Sequence, residues 1–333
     1  MATMGCWECL GPIGIAGLRW TERPIPHPAR GEVTIAIAAA SLNFPDLLAV
    51  EGKYQWQPEP PFIPGVEFTG TVTALGDGVD GIAVGDAVMT VGTTGGFATH
   101  ACVAAERVKR VPRGMSSVDA AVLLVAYGTA YHALMDRGTL RPDETVLVLG
   151  AAGGVGTAAI QVAKAAGARV IAAVSTAAKV ALCTGLGADD VINYERDDLR
   201  GALKSVAPDG PDVIFDPVGD RHAEAAFRSI AWRGRYLVIG FAGGGIPRLP
   251  LNLPLLKGAA VFGVFWGAFD AREPAASQRV VDALAAGHAD GWVRPVIDSV
   301  LPMEDLPAAF ERMASRAVVG KIVLANDNRE RTR

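Results

Sequence analysis

Three glycines at regular spacing carry the clearest chemical signal in the sequence. Gly150, Gly153 and Gly156 lie within TVLVLGAAGGVGTAAIQVAKAAGARVIAAV, residues 145–174, which is predicted as a strand, a glycine-rich turn, a helix and a second strand. Because glycine has no Cβ atom, the N–H groups of such a turn can approach a pyrophosphate, and the N-terminus of the following helix favours an anion. In this order the elements predict a dinucleotide-binding unit.

The end of the second strand indicates which dinucleotide is bound. In an NAD site an Asp or Glu about 20 residues past the glycines holds the ribose 2′-hydroxyl. Here the strand ends in Val174, Ser175 and Thr176, none of which is acidic. Lys179 could pair with a 2′-phosphate, and Tyr194 ends a third strand on the same side of the sheet. Lys179 alone could equally be a solvated helix lysine, but the combination favours NADPH over NADH.

A single carboxylate lies in an apolar stretch upstream. Glu67 stands in FIPGVEFTG, residues 62–70, where a bare charge would be costly to bury. The residues by themselves leave three interpretations open: a catalyst, a metal ligand or a fixture of the fold.

The cysteines give a weaker signal. Cys6 and Cys9 form a CxxC pair, but no second pair and no nearby histidine complete the four ligands of a structural zinc site. A metal or redox role of this pair remains an alternative to two small apolar residues in a first strand.

Length and composition limit the class of protein. A chain of 333 residues predicts two domains of unequal size, and a net charge of −4 argues against a nucleic-acid partner. Glu8 and the lack of a basic flank make the N-terminus a poor secretory signal. The apolar region 145–174 is interrupted by Gln161, Lys164 and Arg169, which argues against a membrane span. A cytoplasmic protein is expected.

The first part of the chain, residues 1–125, is predicted as a compact barrel-like β domain because short apolar segments alternate with Gly and Pro. The predicted strands are EVTIAIAAAS (32–41), EFTGTVTALG (67–76), GDAVMTV (85–91), GFATHACVA (96–104) and ERVKRVP (106–112).

Residues 126–292 alternate apolar runs with Ala-rich helical stretches, which indicates βαβ units and a doubly wound parallel sheet. The predicted strands are TVLVLG (145–150), RVIAAV (169–174), DVINY (190–194), DVIFD (212–216), GRYLVIG (234–240) and AAVFGVFWG (259–267). The predicted helices run near 154–167, 176–186, 220–232 and 273–287. After Trp292 strand and turn signals return, with one helix at DLPAAFERMAS (305–315).

Several segments together make nearly the whole chain resemble the medium-chain dehydrogenase/reductase superfamily, and within it the zinc-independent quinone oxidoreductases, to which zeta-crystallin belongs. They are SLNFPDLLAVEGKY (41–54), PFIPGVEFTGTV (61–72), VGD (84–86), YGTAYHAL (127–134), GAAGGVG (150–156), FDPVG (215–219) and RAVVGKIVL (316–324).

The resemblance implies an α/β protein with an N-terminal GroES-like β-barrel domain, residues 1–125 completed by 293–333, and a Rossmann domain with a doubly wound parallel sheet at 126–292. It also implies NADPH as cofactor and a homodimer whose Rossmann sheets join edge to edge. Residues 259–267 are the predicted edge strand, since pairing would protect so apolar an edge; the alternative is a strand that is covered within one subunit.

The same resemblance assigns the site residues. Asn43, Val66 and Val125 fall where zinc-dependent relatives carry metal ligands, so no metal is expected and Glu67 has none to join. Glu67 is therefore expected to be a buried carboxylate held by hydrogen bonds. The residues implied to line the NADPH site are Asn43, Thr129, Gly153, Gly154, Val155, Ser175, Lys179, Tyr194, Val218, Phe241, Phe265 and Lys321.

Without a metal, the expected chemistry is hydride transfer from NADPH to a quinone or an α,β-unsaturated carbonyl, whose electrophilic carbon is already activated. Asn43, Tyr54 and Tyr127 are the candidate donors to the acceptor oxygen, with Tyr54 preferred because similar enzymes carry a tyrosine there. Tyr54 could equally pack on a loop with Trp56. The alternative functions are reduction of an enoyl-CoA-type thioester and non-catalytic binding of NADPH.

Overall fold

The computed structural model describes residues 2–11, 14–92 and 94–326. The chain divides into two compact units: unit 1 contains the described residues of Met1–Val125 and Ile297–Arg333, and unit 2 is Ala126–Val296. The sequence predicts the second boundary at 293. Unit 2 extends to Val296, and Arg294 is tied to it because its backbone exchanges two hydrogen bonds with the side chain of Gln161.

Unit 1 is built mainly from antiparallel strands. Its strands, numbered along the whole chain, are β1 (Thr3–Cys9), β2 (Leu18–Pro24), β3 (Glu32–Ser41), β4 (Glu67–Leu75), β5 (Ala87–Val91), β6 (His100–Ala104), β7 (Val108–Arg110), β14 (Ile297–Pro302) and β15 (Lys321–Ala325). β1 pairs with β2, and the remaining strands form a seven-stranded sheet in the order β14-β15-β3-β4-β5-β7, with β6 paired to β3. β3 therefore lies at the centre of the sheet.

Short helices complete unit 1. They are α1 (Phe44–Val50), α2 (Ser117–Ala120) and α11 (Leu306–Ala314), with a π-helical turn starting at Leu123. Close packing of β3 on β4 requires a glycine, because a Cβ atom on Gly70 would lie 2.0 Å from the carbonyl oxygen of Ala36. The core of unit 1 contains Phe97 and Phe310, whose rings pack edge to face with their centroids 6.0 Å apart.

Cys6 and Cys9 both lie in β1 and are fully buried. Side chains three residues apart in a strand point to opposite faces, so the two thiols do not face each other. This geometry favours two small apolar residues over a metal or redox pair. Among the described residues, no group of three or more His, Cys, Asp or Glu side chains could hold a metal ion.

Unit 2 contains a six-stranded parallel sheet in the order β10-β9-β8-β11-β12-β13. The strands are β8 (Thr145–Leu149), β9 (Arg169–Val174), β10 (Asp190–Asn193), β11 (Val213–Asp216), β12 (Arg235–Val238) and β13 (Ala260–Gly263). The strand order reverses beside β8, and in such sheets ligands bind at the carboxyl ends of the strands near this reversal.

The helices of unit 2 are α3 (Gly128–Tyr131), α4 (Gly154–Ala165), α5 (Ala177–Gly185), α6 (Leu199–Val206), α7 (His222–Arg228), α8 (Asn252–Lys257), α9 (Trp266–Arg272) and α10 (Pro274–Ala289). Five of them, α4 to α8, connect its strands, while α3 precedes β8 and both α9 and α10 follow β13. In the part of the chain that the structure describes, no helix has the length and apolar character needed to cross a membrane.

All six strands predicted for unit 2 are present, but the last one is shorter than its apolar run. The run 259–267 forms a strand only over Ala260–Gly263, and helix α9 begins at Trp266. Trp266 and Phe269 are buried against the ring of His132, so packing inside the unit takes this end of the run out of the sheet. Helices α3, α6 and α8 were not predicted from the sequence either.

Candidate functional site

The glycine-rich turn joins β8 to α4. Gly150 has a φ of 57°, a conformation that favours glycine, and Gly153 caps α4. A Cβ atom on Gly156 would lie 2.5 Å from the carbonyl oxygen of Gly150, so the helix can approach the turn only with glycine there. The first N–H groups of a helix have no partner within it. This end of α4 therefore presents donors suited to a pyrophosphate.

Beyond β9 the structure brings together three residues predicted to bind the 2′-phosphate end of the cofactor. The Lys179 ammonium donates to Ser175 Oγ at 3.3 Å, and the backbone N–H of Tyr194 donates to the carbonyl of Val174 at 3.0 Å. Burial lowers the pKa of Lys179. A partly buried lysine beside a hydroxyl, with no acidic residue between 174 and 179, forms a site suited to a phosphate.

His222 is a neighbour of this group that the sequence did not reveal. Its ring lies 4.3 Å from that of Tyr194, centroid to centroid, and Arg221 Nε lies 3.3 Å from its Nε2. His222 begins α7, and β11 and β10 are not neighbours in the sheet. No local pattern could have predicted this contact, because it depends on the strand order.

Val218 and Phe241 lie in two loops that follow β11 and β12. The Val218 side chain lies over the glycine turn, since a Cβ atom on Gly150 would be 2.7 Å from Val218 Cγ2. A Cβ atom on Gly219 would be 2.9 Å from the Phe241 ring. Both predicted cofactor residues thus lie at the carboxyl edge of the sheet. Thr129 is buried in α3, and Phe265 is exposed before α9.

In unit 1 five polar side chains form a buried group, which we call the polar cluster: Ser41, Asn43, Asp46, Glu67 and Lys321. They come from the end of β3, the start of α1, the start of β4 and the start of β15. Sequence separations of up to 280 positions are bridged here only because β15 pairs with β3.

Glu67 has a structural role in unit 1. It is 1% exposed, and its carboxylate accepts hydrogen bonds from Ser41 Oγ at 2.5 Å, Val125 N at 2.7 Å and Asn43 Nδ2 at 3.2 Å. The Lys321 ammonium lies 4.0 Å away. Burial raises the pKa of Glu67 and lowers that of Lys321, while their mutual attraction opposes both shifts. With every oxygen engaged, the carboxylate has no free position for a substrate.

The geometry argues against the predicted catalytic role of Asn43. Its Nδ2 donates to Ser41 and Glu67, and its Oδ1 accepts from Lys321 Nζ at 2.6 Å. Both ends of the amide are therefore already hydrogen-bonded within the cluster. Lys321 also donates to the carbonyl of Leu42 at 2.8 Å, so a cofactor contact from Lys321 would use its one remaining N–H.

Tyr127 is buried inside unit 2. It is 2% exposed, and its hydroxyl donates to Gln161 Oε1 at 3.1 Å inside unit 2. Because helix packing has buried this hydroxyl, the structure argues against the predicted role of Tyr127 as a catalytic donor.

Tyr54 retains the properties of a donor. It is half-buried in the loop after α1, and within the described part of the chain its hydroxyl has no hydrogen-bond partner. Burial and then the nearby charge of Asp46 raise the pKa of Tyr54. The phenol therefore keeps its proton at neutral pH and can donate it in a hydrogen bond.

Asp46 holds the start of α1. Its carboxylate accepts from the backbone N–H groups of Asn43 at 2.8 Å and Val66 at 3.0 Å. Burial outweighs these donors and raises the pKa of Asp46 to about 7. Val66 and Val125, at positions where zinc-dependent relatives carry ligands, contribute only backbone N–H groups, to Asp46 and Glu67 respectively.

The shifted pKa of Asp46 predicts how stability depends on pH. The folded protein keeps the proton of Asp46 up to about pH 7, whereas the unfolded chain loses it near pH 3.8. The free energy of unfolding should therefore fall as pH rises between these values, by about 2 to 3 kcal/mol from pH 5 to pH 8. Asp46→Asn should remove this fall in urea unfolding at pH 5 to 8.

Asp86→Asn is the control, because Asp86 is only partly buried and its pKa is lowered by the N–H of Ala83 and by Arg110. This variant should keep the wild-type dependence between pH 5 and pH 8. Equal pH dependence in wild type and Asp46→Asn would contradict the assignment.

Comparisons with known proteins agree with both units. Residues 29–113 match the family model described as alcohol dehydrogenase GroES-like domain, and residues 154–284 match that described as zinc-binding dehydrogenase. The chain is 34% identical to the mouse (Mus musculus) quinone oxidoreductase-like protein 2, over 98% of this chain and 99% of that protein.

Solved structures give the same picture. A probable oxidoreductase from Mycobacterium abscessus superposes with a TM-score of 0.88 at 35% identity, over 97% of this chain and 99% of that one. The Escherichia coli quinone oxidoreductase complexed with NADPH gives 0.91 at 28% identity, over 97% and 100%. The predicted α/β fold, a GroES-like domain with a Rossmann domain, is confirmed, and the chain belongs to the quinone oxidoreductase-like family of the medium-chain dehydrogenase/reductase superfamily.

Proposed function

We propose that this protein is a zinc-independent oxidoreductase that uses NADPH to reduce a quinone or an α,β-unsaturated carbonyl. One observation carries the choice of cofactor: Lys179 Nζ lies 3.3 Å from Ser175 Oγ at the end of β9, with no carboxylate on this segment. A carboxylate there would bind the 2′-hydroxyl of NADH and repel a 2′-phosphate. The NADPH bound by the Escherichia coli relative supports this choice.

The residues of unit 2 bind and orient the cofactor in this proposal. The start of α4, with Gly153, Gly154 and Val155, receives the pyrophosphate, and Ser175, Lys179 and Tyr194 receive the 2′-phosphate. When bound, NADPH supplies the hydride. Thr129, Phe265 and Lys321 remain predicted cofactor contacts.

The polar cluster supports zinc independence. A lysine ammonium already lies among the two carboxylates, 4.0 Å from Glu67 and hydrogen-bonded to Asn43. A divalent cation placed there would meet this charge, and the side chains of Val66 and Val125 cannot ligate it. The acceptor must therefore bring its own electrophilic carbon, as quinones and enones do.

Tyr54 is the proposed donor to the acceptor oxygen. Charge builds on that oxygen as hydride reaches the conjugated carbon, and a positioned hydroxyl stabilises it. A tyrosine that stays protonated, with a hydroxyl not used within the described part of the chain, is suited to this role.

Unit 2 also exposes a set of apolar side chains beside its edge strand, which supports a homodimer joined through β13. The edge residue Val261 is 47% exposed. The Trp232 ring lies against the end of α8, since a Cβ atom on Gly258 would be 3.2 Å from it. This set of exposed apolar side chains also includes Leu251, Leu255 and Leu256, each at least 68% exposed. So large an apolar patch beside an open strand edge favours pairing with a second copy.

The cofactor assignment predicts selective loss of NADPH binding in Lys179→Ala. Losing the lysine removes a charge-assisted contact that only the 2′-phosphate makes, so the dissociation constant for NADPH should rise about tenfold or more and that for NADH should stay near wild type. Fluorescence titration measures both. Lys204→Ala, an exposed lysine of α6, is the control and should change neither value. Equal loss of both cofactors would place the 2′-phosphate elsewhere.

The reaction is tested by NADPH oxidation in the presence of 1,4-benzoquinone, a cyclic enone or crotonyl-CoA. The proposal predicts turnover with the first two. Turnover with crotonyl-CoA alone would indicate a thioester reductase, and tight NADPH binding without turnover of any of the three would indicate a non-catalytic binding protein.

In the same assay Tyr54→Phe should lower turnover about tenfold or more, because the hydroxyl donor is lost, and should leave NADPH affinity near its starting value. Trp56→Phe is the matched control from the same exposed loop and should retain turnover. Unchanged turnover in Tyr54→Phe, or equal loss in both variants, would indicate a packing role for Tyr54.

The dimer proposal predicts that Val261→Arg yields a monomer. A charged side chain on the edge strand would be desolvated in the paired sheet, so association should be lost while the unit stays folded. Size-exclusion chromatography with light scattering measures the mass. Val84→Arg, at an exposed valine of unit 1, should leave the dimer intact. A monomeric wild type, or a dimeric Val261→Arg, would exclude this interface.

A further inference from the structure

A buried aspartate and a buried tyrosine are hydrogen-bonded at the carboxyl edge of the unit 2 sheet, and the proposed function uses neither. Asp216 is the last residue of β11 and is 2% exposed, and Tyr236 lies in the neighbouring strand β12. The Tyr236 hydroxyl donates to Asp216 Oδ2. Buried polar pairs must satisfy each other because no water replaces a missing partner.

The other carboxylate oxygen of Asp216 holds the turn that follows β11. Asp216 Oδ1 accepts the backbone N–H groups of both Val218 and Gly219, each at 2.8 Å. Gly219 has a φ of 64°, so the chain reverses sharply at this point. One carboxylate therefore connects β12 on one side to the 216–219 turn on the other.

The 216–219 turn in turn holds the neighbouring loop. The carbonyl of Pro217 accepts from Ala242 N at 3.0 Å, and the carbonyl of Val218 accepts from Gly243 N at 2.8 Å. The Val218 side chain lies over Gly150 of the glycine turn. A displacement of the 216–219 turn would move both Val218 and the loop that carries Phe241.

We propose that Tyr236 and Asp216 are positioning residues which, through the 216–219 turn, hold Val218 and the 241–243 loop in the arrangement that receives the dinucleotide. The inference rests on the proposed function for the identity of the ligand. Because Val218 packs beside the glycine turn, it bears on the part of the cofactor that NADPH and NADH share. The pair therefore sets affinity for both dinucleotides, in contrast to Lys179.

The charge state of Asp216 should make the effect of this pair on cofactor affinity depend on pH. Burial raises the pKa of Asp216, and the Tyr236 hydroxyl and the two N–H donors oppose this rise. The titratable side chains that bear on Asp216 are Tyr236 in β12 and His222 in α7. Without the hydroxyl, the ionised form would leave Oδ2 buried and unpaired, which is costly.

This reasoning fixes the sign of the pH effect in Tyr236→Phe. At low pH Asp216 is neutral, and its Oδ1 still accepts from the turn. As pH rises, the ionised carboxylate loses its paired position and the turn is released. Cofactor affinity in the variant should therefore fall as pH rises, and this fall should be smaller in the wild type, where the hydroxyl pairs the charge.

The test compares dissociation constants for NADPH and NADH at pH 6 and pH 8. In Tyr236→Phe, which keeps the ring that packs on Phe227, both constants should rise about tenfold or more at pH 8 and by a smaller factor at pH 6. Asp216→Asn should bind near wild type, because its amide oxygen accepts from the turn and its amide nitrogen donates to Tyr236. The double variant Asp216→Asn/Tyr236→Phe should lose affinity equally at both pH values.

His222→Gln in the Tyr236→Phe background is the control for the second titratable group, and it should leave the pH effect unchanged. A pH effect that disappears with His222, or unaltered affinity in Tyr236→Phe at both pH values, would overturn the proposal. A lower melting temperature with unaltered affinity would also overturn it, since that is the result of a purely structural role.

Amide hydrogen exchange of Val218 and Gly219 without cofactor separates this inference from the proposed function. Faster exchange in Tyr236→Phe than in wild type, increasing relative to wild type as pH rises, supports the positioning role even if NADPH is not the ligand. Equal protection in both proteins would overturn it even if the wild type reduces quinones with NADPH.

Discussion

The carboxylate of Glu67 is removed from water, and the interior of unit 1 is arranged to satisfy it. An unpaired buried carboxylate would cost several kcal/mol, and breaking a buried charge pair typically costs about 3–5 kcal/mol. Ser41, Asn43 and Val125 supply the hydrogen bonds, and Lys321 supplies the opposite charge. These partners come from separate parts of the chain, so the requirement of one side chain ties β3, α1, β4 and β15 into one unit.

The same requirement determines which groups remain free for chemistry. Asn43, one of the three predicted donors to a substrate, uses its amide in hydrogen bonds with Glu67 and Lys321. Tyr54 lies outside that network and keeps a hydroxyl without a partner in the described part of the chain. The cluster thus holds the start of α1, where Asp46 accepts from the backbone of Asn43 and Val66, and the Tyr54 hydroxyl in the following loop remains available to a ligand.

In unit 2 the loops at the carboxyl edge of the parallel sheet need to be held in place. Parallel strands end at one edge, where the loops must be held without the support of a ladder. The structure uses a capped helix at the glycine turn, a hydroxyl–ammonium contact after β9 and a buried carboxylate after β11. Each device fixes one loop, and the 216–219 turn couples the last of them to the glycine turn through Val218. The edge is therefore one connected surface and not a set of independent loops.

The sequence by itself determined the fold class, the six strands of unit 2 and the glycine turn, because period, glycine spacing and chain order are local properties. It also placed Ser175, Lys179 and Tyr194 near the ends of neighbouring strands, since strand ends can be read from apolar runs; their contact with the cofactor stays a prediction. It could not predict the contacts of a side chain whose partner is distant in the chain. The Tyr127 hydroxyl donates to Gln161, and the Asn43 amide oxygen accepts from Lys321. The ring of His222 contacts that of Tyr194 only because of the strand order. Tertiary packing decided these, because a hydrogen bond depends on position in space and no local pattern encodes it.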